Sequence, residues 1–230
     1  MTKNVLVVAE GRTEETFINT VLAPALQARD IHLTPMLIIT KKTAHRTAAE
    51  LELPGSRFKG GIGTYQMVRR DVLNVLRAPH FVAVTTMFDY YRLPHDFPGQ
   101  SDLTGLSNSY HRVSRLEQAF QADIAHSRFR PFLVLHEFEA LLFSDPQQIA
   151  TAIQRHPSIG DRFRAVRNQF NSPEEIDDGP DTHPAARILA QARGYKKTLH
   201  GPIIAKRIGL ETIRNECPHF AEWLTWLESF

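Results

Sequence analysis

The feature that most constrains the fold is an unbroken apolar run that stops abruptly at an acid and a glycine. Residues 5–9 read Val-Leu-Val-Val-Ala, and Glu10-Gly11 follow directly. An apolar run without alternation suits a strand covered on both faces, as in a parallel α/β sheet. Thr13 is a suitable N-cap for a following helix, which the apolar spacing extends to about Ala28. Glu10 is therefore placed at the carboxyl end of a strand, where open α/β sheets bind their ligands.

The two acids beside this turn have different explanations. Glu14 falls in the first turn of the predicted helix, so it either complements the helix dipole or shares a cleft with Glu10. Glu10 ends an apolar strand, and its carboxylate needs a partner, a metal ion or water in a cleft. We therefore treat Glu10 as a principal site candidate and Glu14 as an auxiliary one.

Composition narrows the class of protein. The chain has 230 residues, 42% of them hydrophobic, and can bury a sizeable core. A single cysteine, Cys217, excludes an intrachain disulfide and a cysteine-rich zinc site and indicates a cytoplasmic protein. No run approaches the roughly 20 apolar residues that span a bilayer, so no membrane partner is expected. A formal net charge of +2 argues neither for nor against a nucleic-acid partner, so any surface that binds nucleic acid must be a local basic patch.

A second strand is predicted at residues 31–40, and a basic, glycine-rich segment follows at residues 41–63. This segment either cradles a phosphate backbone or is an ordinary solvated loop. Helical periodicity at residues 65–77 then predicts a second crossover helix.

The most continuous strand signal lies at residues 81–88 and also ends in an acid, Asp89. Two parallel strands that end in acids at one edge of a sheet bring Glu10 and Asp89 together. Hard cations such as Mg²⁺ take oxygen ligands and commonly use one or two carboxylates. Without a metal, a basic neighbour such as Arg12 or Arg92 must offset the repulsion between the two charges.

A third acidic strand end is predicted after a helix at residues 110–124 and a strand at residues 129–135. Its sequence is His136-Glu137-Phe138-Glu139. If the strand persists, Glu137 and Glu139 share a face; if a helix begins at Glu137, only one of them reaches the cleft. We interpret His136 as a hydrogen-bonded structural residue rather than a metal ligand.

The remainder of the chain is expected to be helical. Ser172-Pro173 with Glu175 forms a helix-start signal, so Glu175 is interpreted as structural. The acidic turn at residues 177–181 is interpreted as solvated. Positive charge concentrates at residues 196–207, including Lys197 and Lys206, and is either a solvated helix face or a surface that binds substrate phosphates.

Several of these segments together resemble a known family. The segments are Val-Val-Ala-Glu10-Gly-x-Thr-Glu14-Glu15, Phe-Asp89-Tyr-Tyr-x-x-Pro94, and His-Glu137-Phe-Glu139-Ala-Leu-Leu-Phe-x-Asp145. They resemble the DUF4276 family, which is similar to Toprim domains of topoisomerases, primases and overcoming-lysogenization-defect nucleases. Segments at residues 172–180, 183–187, 195–197 and 217–223 extend the resemblance over nearly the whole chain.

The resemblance implies Mg²⁺-dependent phosphodiester chemistry. Glu10 matches the first Toprim acid, and Asp89 matches the first Asp of the Asp-x-Asp pair. Tyr91 stands where the second Asp would be, so one metal ligand is missing unless Glu137 or Glu139 replaces it. Among these, Glu137 follows an apolar strand in the way that Glu10 and Asp89 do.

We therefore predict an α/β fold, a Toprim-like parallel sheet flanked by helices at residues 1–145, with an α-helical C-terminal region at residues 146–230. We predict a Mg²⁺- or Mn²⁺-dependent nuclease acting on nucleic acid, DNA rather than RNA, in a bacterial defence or DNA-processing system. Glu10, Asp89 and Glu137 are the predicted metal ligands, with Glu14 as auxiliary ligand or general base. Lys197 and Lys206 are predicted to bind substrate phosphate.

The alternative is a catalytically degenerate Toprim-like module that serves as an interaction or sensor subunit. Toprim relatives in defence loci accompany ATPases of the AAA or ABC type. This chain has no Gly-x-x-x-x-Gly-Lys-Ser/Thr phosphate loop, so a separate protein would supply any nucleotide-driven step.

Overall fold

The protein is organised around a parallel sheet. In the computed structural model, strands β1 (Lys3–Ala9), β2 (Ile31–Leu37) and β3 (Ala83–Asp89) lie in the order β2-β1-β3, and the short strand β4 (Phe129–Arg130) pairs with β3. Strand β5 (Leu133–Val134) pairs with the end of β3, and all these pairings are parallel. The structure describes residues 2–38, 62–153, 157–176, 179 and 181–230. Most of the predicted basic segment, residues 41–61, and Asp177 and Asp178 lie outside the described residues.

Helices connect and flank the strands. The first connection comprises α1 (Arg12–Phe17), a π-helical turn (Ile18–Leu22) and α2 (Ala23–Gln27). The helices that follow, up to the third acidic segment, are α3 (Tyr65–Leu76), α4 (Ser109–Ile124) and α5 (Glu139–Leu142). The C-terminal helices are α6 (Pro146–Ala152), α7 (Pro157–Arg167), α8 (Pro184–Gln191), α9 (Lys197–Ile208), α10 (Leu210–Glu216) and α11 (Pro218–Leu227). Short 3₁₀ turns span Tyr90–Arg92, Gln100–Leu103 and Pro173–Glu175.

Alternate residues of the strands face two separate cores, because side chains on a strand point to opposite faces. On β1, Val5 and Val7 pack with the C-terminal helices, including Trp223 of α11. Leu6 and Val8 of the same strand pack in the second core, which α3 and α4 cover. Covering both faces explains why the strands read as continuous apolar runs. The predicted α/β fold, a parallel sheet flanked by helices with further C-terminal helices, is confirmed.

Two local predictions differ from the structure. Thr13 as the N-cap of the first helix is wrong, because the helix begins at Arg12 and Gly11 occupies the N-cap position with extended backbone. Thr13 is instead buried within the first turn. Ser172 does cap, but it caps a 3₁₀ turn by accepting a hydrogen bond from the backbone N–H of Glu174 at 3.1 Å. The Glu175 carboxylate accepts a hydrogen bond from the N–H of Asn171 at 3.0 Å, which is a structural role.

The C-terminal helices are anchored to the middle of the sheet. The indole N–H of Trp223 donates a hydrogen bond to Thr85 Oγ1 of β3 at 3.0 Å. The same indole stacks on Phe132, with ring centroids 4.3 Å apart and an interplanar angle of 7°. This face of the sheet is therefore completed by side chains from the C-terminal helices.

Among the helices of the described ranges, none combines the length and apolar character that crossing a membrane requires.

Candidate functional site

Glu10 and Asp89 meet at the carboxyl edge of the sheet. Strands β1 and β3 are adjacent, with Ala9 opposite Met87, so both strands deliver their next residues to the same edge. The backbone N–H of Asp89 donates a hydrogen bond to Glu10 Oε2 at 3.1 Å. Asp89 is 1% exposed, and its Oδ1 accepts a hydrogen bond from the N–H of Phe138 at 2.8 Å. The two acids that end β1 and β3 therefore lie together at one edge of the sheet, as the sequence predicted.

Lys197 supplies the positive charge of this cluster. Its Nζ lies 2.8 Å from Asp89 Oδ2, 3.1 Å from Glu139 Oε2 and 3.9 Å from Glu14 Oε1. Of the cations proposed from the sequence as neighbours of the acids, Arg12 pairs instead with Glu15 on the surface. Lys197 thus points into the carboxylate cluster, with about a third of its side chain still exposed.

A glycine lets the helix that carries Lys197 approach the cluster. Gly201 lies one turn beyond Lys197 on α9, and a Cβ there would come within 3.1 Å of Phe138 Cε1 and 3.3 Å of Thr13 Cγ2. Both of those contacts are tight, so a side chain at this position would push α9 away from α1 and from the acidic turn at Phe138. The position of the lysine is therefore set by close helix packing as well as by charge.

The two glutamates of the third acidic strand end, Glu137 and Glu139, have different partners. His136 has a left-handed backbone, with φ of 61°, which turns the chain sharply after β5. Helix α5 begins only at Glu139, so neither a continued strand nor a helix from Glu137 describes the segment. Glu137 Oε1 pairs with His183 Nδ1 at 2.8 Å and accepts a hydrogen bond from the N–H of Ala185 at 2.6 Å. Glu137 is thus held by the start of α8.

Glu139 is the acid of this segment that shares a cation with Asp89. It is fully buried, and its Oε1 accepts a hydrogen bond from the Tyr195 hydroxyl at 3.0 Å. Its other oxygen faces Lys197. Lys197 is the first residue of α9 and Tyr195 lies two residues before it, so both contacts to Glu139 come from one short segment. Glu139 therefore occupies the place beside Asp89 for which Glu137 was the sequence-based candidate.

Three acids of the cluster, Glu10, Glu14 and Glu139, have raised pKa values. Burial, with the charges of Asp89 and Glu14, raises the pKa of Glu10 from 4.5 to about 8. Burial and the charge of Asp89 raise the pKa of Glu14 to about 7. For Glu139, burial and the charges of Glu137 and Asp89 outweigh the stabilising effect of Lys197, and its pKa rises to about 7. Burial is the largest cause of all three shifts, and the neighbouring carboxylates add to it.

Lys197 itself is held in the charged form. Burial by itself lowers the pKa of its ammonium group, but the charges of Asp89, Glu139 and Glu14 raise that pKa well above its usual value. Burial and the charge of Glu139 raise the pKa of the Tyr195 hydroxyl, which remains a hydrogen-bond donor. The cluster is thus a buried acidic site with a permanent internal cation.

The donor chemistry of this cluster suits a hard divalent cation. Its ligand atoms are carboxylate oxygens, which Mg²⁺ and Mn²⁺ prefer. Four carboxylates, those of Glu10, Glu14, Asp89 and Glu139, surround one ammonium group, so the cluster has more acid than its own cation neutralises. In the described ranges, no three His, Cys, Asp or Glu side chains stand in a ready-made metal-binding group. Lys197 contacts Asp89 and Glu139 in this structure.

The other predicted phosphate contact lies apart from the cluster. Lys206 is exposed and lies about two and a half turns beyond Lys197 along α9. The structure therefore brings together Glu10, Glu14, Asp89 and Lys197, holds Glu137 beside them through His183, and leaves Lys206 on the surface.

An aromatic pair adjoins the cluster. The ring of Tyr91 stacks on His183, with centroids 5.3 Å apart and an interplanar angle of 20°. The N–H of Tyr91 donates a hydrogen bond to the carbonyl of His136 at 2.8 Å, which fixes the turn that follows Asp89. Tyr91 thus occupies the position of the expected second acid and contacts the histidine that holds Glu137.

Fold and site define an α/β protein with a buried acidic cluster at the carboxyl edge of a parallel sheet. The chain belongs to the family described as "Domain of unknown function (DUF4276)", whose model matches residues 9–228. The family assignment made from the sequence motifs is therefore confirmed. No curated protein and no solved structure matches the chain.

Sequence reasoning did not assign Glu139, Tyr195 or His183 to the site. Glu139 was named with Glu137 as a possible replacement for the ligand missing at Tyr91, and Glu137 was preferred because the turn at His136 could not be foreseen. Tyr195 and His183 stood in segments that resemble the family, which was the available signal for them. Their contacts with Glu139 and Glu137 join residues far apart in sequence, so only the folded chain reveals them.

Proposed function

We propose that this protein is a Mg²⁺- or Mn²⁺-dependent phosphodiesterase that acts on nucleic acid, with a Toprim-like α/β domain as its catalytic core. In this proposal it is a nuclease of a bacterial defence or DNA-processing system, and its substrate is DNA rather than RNA. The observation that carries the proposal is the meeting of Glu10 and Asp89 at one sheet edge, with Glu14, Glu139 and Lys197 around them.

Glu10, Asp89 and Glu139 would hold the metal ion in this proposal. Glu139 is preferred to Glu137 as the third ligand, because Glu139 and Asp89 both face Lys197 Nζ, at 3.1 and 2.8 Å. Glu137 is instead bound by His183 and Ala185. When bound, the ion would polarise a phosphate oxygen and lower the pKa of a bound water, which replaces a protein nucleophile.

The chain's own residues would orient the substrate and move protons. Glu14 lies within the cluster, with its Oε1 3.9 Å from Lys197 Nζ, and it is proposed as the auxiliary ligand or general base. The partly exposed Lys197 ammonium group is the positive charge that a phosphate would meet. Glu137 supports the site through His183 rather than as a ligand.

One observation favours a second candidate function. Lys197 already bridges Asp89 and Glu139, as a permanent counter-ion would in a site that no longer binds metal. The chain would then be a catalytically degenerate interaction or sensor subunit, working with a separate AAA or ABC ATPase. Titration with Mn²⁺, followed by electron paramagnetic resonance, discriminates the two candidates, because only the enzyme needs Mn²⁺ bound through Glu10 and Asp89.

The nuclease proposal is tested by incubating the purified protein with single- and double-stranded DNA and RNA, with Mg²⁺, Mn²⁺ or EDTA. We expect metal-dependent cleavage that falls at least about 100-fold in Glu10→Gln and in Asp89→Asn. Both variants keep the size and planar shape of the native side chain but replace one acceptor oxygen with a donating NH2 group, so thermal unfolding is recorded for each.

Two controls make the result specific. Glu211→Gln removes an acid whose side chain is 74% exposed, and it should cleave like the wild type. Glu174→Gln removes a buried acid that contacts Tyr110, His219 and Phe220 instead of the cluster. Absence of metal-dependent cleavage on every substrate, or equal cleavage by wild type and Asp89→Asn, would overturn the proposal.

A further inference from the structure

The rim of the acidic cluster carries an aromatic side chain that the fold does not bury. Of the Phe, Tyr and Trp side chains that the structure describes, Tyr91 is the exposed one, at 39%. A single exposed aromatic side chain is ordinary on a protein surface. This one follows Asp89 by a single intervening residue and stacks on His183, which contacts Glu137, so it lies beside the acidic cluster.

The ring of Tyr91 is held in a defined orientation. One side of it stacks on His183 at 5.3 Å. His183 is in turn fixed by buried Glu137, which is 2% exposed and contacts His183 Nδ1 at 2.8 Å. The backbone of Tyr91 is tied to His136. A ring fixed at its backbone and along one side is a rigid surface, and it loses little conformational freedom when something packs against it.

Two exposed basic residues are sequence neighbours of the stack and of the cluster. Arg92 follows Tyr91 directly, and Lys196 precedes the Lys197 of the cluster; both side chains are exposed. An aromatic surface with positive charges beside it is the arrangement with which proteins hold single-stranded nucleic acid, because every base has a face that stacks and every nucleotide a phosphate that needs a cation. In a duplex the bases are already stacked on one another and cannot offer a free face to a protein side chain.

We propose that Tyr91 and His183, positioned by Glu137, form a base-stacking platform that selects an unpaired nucleotide of single-stranded nucleic acid at the entrance to the acidic cluster. This rests on the proposed function and specifies its substrate class. Tyr91 then takes the place of a second Asp because it binds the base beside the scissile phosphate, and it does not replace a metal ligand. Tyr91 and His183 are binding residues in this proposal, and Glu137 is a positioning residue.

The test measures binding without cleavage. Fluorescence anisotropy with a 5′-labelled single-stranded DNA, the RNA of the same sequence and the matching DNA duplex is recorded in EDTA, so that no metal-dependent reaction occurs. We expect single strands to bind more tightly than the duplex. Tyr91→Ala should weaken single-strand binding about tenfold or more, whereas Tyr91→Trp should keep it within about threefold, because the stacking face is retained.

The matched control is Leu199→Ala, which removes another exposed apolar side chain, 51% exposed, from α9. It should bind single strands like the wild type, and thermal unfolding should show that both alanine variants are folded. Equal binding of single strand and duplex, or unchanged single-strand binding in Tyr91→Ala, would overturn the platform.

Failure of the platform and failure of the nuclease proposal give different results. If the protein binds single strands through Tyr91 but cleaves nothing with Mn²⁺, the platform is supported and the nuclease proposal is wrong. If the protein cleaves with Mn²⁺ and Tyr91→Ala binds single strands as well as the wild type does, the nuclease proposal is supported and the platform is wrong.

Discussion

Lys197 and Asp89, 108 residues apart in sequence, form an ion pair of 2.8 Å at the carboxyl edge of the sheet. The pair joins a strand of the sheet to the first residue of a C-terminal helix, so the acidic cluster is complete only when the last third of the chain has packed against the sheet edge. Because Glu139 and Glu14 share the same ammonium group, the lysine acts on the whole cluster.

Lys197→Met is expected to destabilise the protein in metal-free buffer. The change leaves several buried carboxylates without their cation, and breaking a fully buried pair costs about 3–5 kcal/mol. Since 32% of the lysine side chain is exposed, we expect about 2 kcal/mol, measured by urea unfolding. Mn²⁺ should restore more stability to this variant than it adds to the wild type. Lys196→Met, a change of the exposed neighbouring lysine, should have little effect, and equal losses in the two variants would contradict the prediction.

Glu10→Gln is expected to stabilise the metal-free protein at alkaline pH. The pKa of Glu10 is raised from 4.5 to about 8, so the native state keeps a proton that the unfolded chain releases between these values. The stability that this proton contributes is fully present below about pH 4.5 and is lost as the pH rises through about 8. Glutamine does not titrate, so the variant avoids this loss.

The expected gain in the free energy of unfolding is about 2 kcal/mol above about pH 8, and it vanishes near pH 4.5. One pKa unit corresponds to about 1.4 kcal/mol, and partial hydration of Glu10 reduces the effect. Differential scanning calorimetry across this pH range measures it. The exposed acid changed in Glu211→Gln provides the comparison and should show no pH-dependent gap. A gap for Glu10→Gln that is constant with pH would argue against a raised pKa.

Trp223→Ala is expected to cost about 3–5 kcal/mol of unfolding free energy. The indole is 2% exposed, stacks on Phe132 and donates a hydrogen bond to Thr85. Its removal leaves a large cavity and a buried hydroxyl without this donor. Trp226→Ala, in the same helix but only partly buried, should cost clearly less in the same chemical denaturation experiment. Similar losses in the two variants would show that α11 is not anchored through Trp223.

A fragment that ends at residue 145 is expected not to fold stably. The sheet face formed by Val5 and Val7 packs with Phe220, Trp223 and Leu224, so this fragment would expose an apolar surface that the full chain buries. Circular dichroism and amide hydrogen exchange should show weak, non-cooperative structure and little protection in β1. Cooperative unfolding of the fragment would instead identify residues 1–145 as an independent domain.

Local sequence patterns predicted the elements that carry the acids. Continuous apolar runs identify β1 and β3 because both faces of these strands are buried, and the residues that end the runs, Glu10 and Asp89, necessarily reach one edge of a parallel sheet. The helical spacing of apolar residues likewise predicted α3 and α4 to within a residue or two. These features depend on periodicity along a short segment, which the sequence contains.

Tertiary structure alone decided which acids share a cation and which residue supplies it. The left-handed backbone at His136 sends Glu137 toward His183 and Glu139 toward Lys197, and no local pattern encodes that separation. The choice of Lys197 over Arg12 depends on how closely α9 packs against the sheet edge at Gly201. Contacts between distant segments arise from packing of whole elements, so the sequence determined the acidic edge, and only the fold determined its partners.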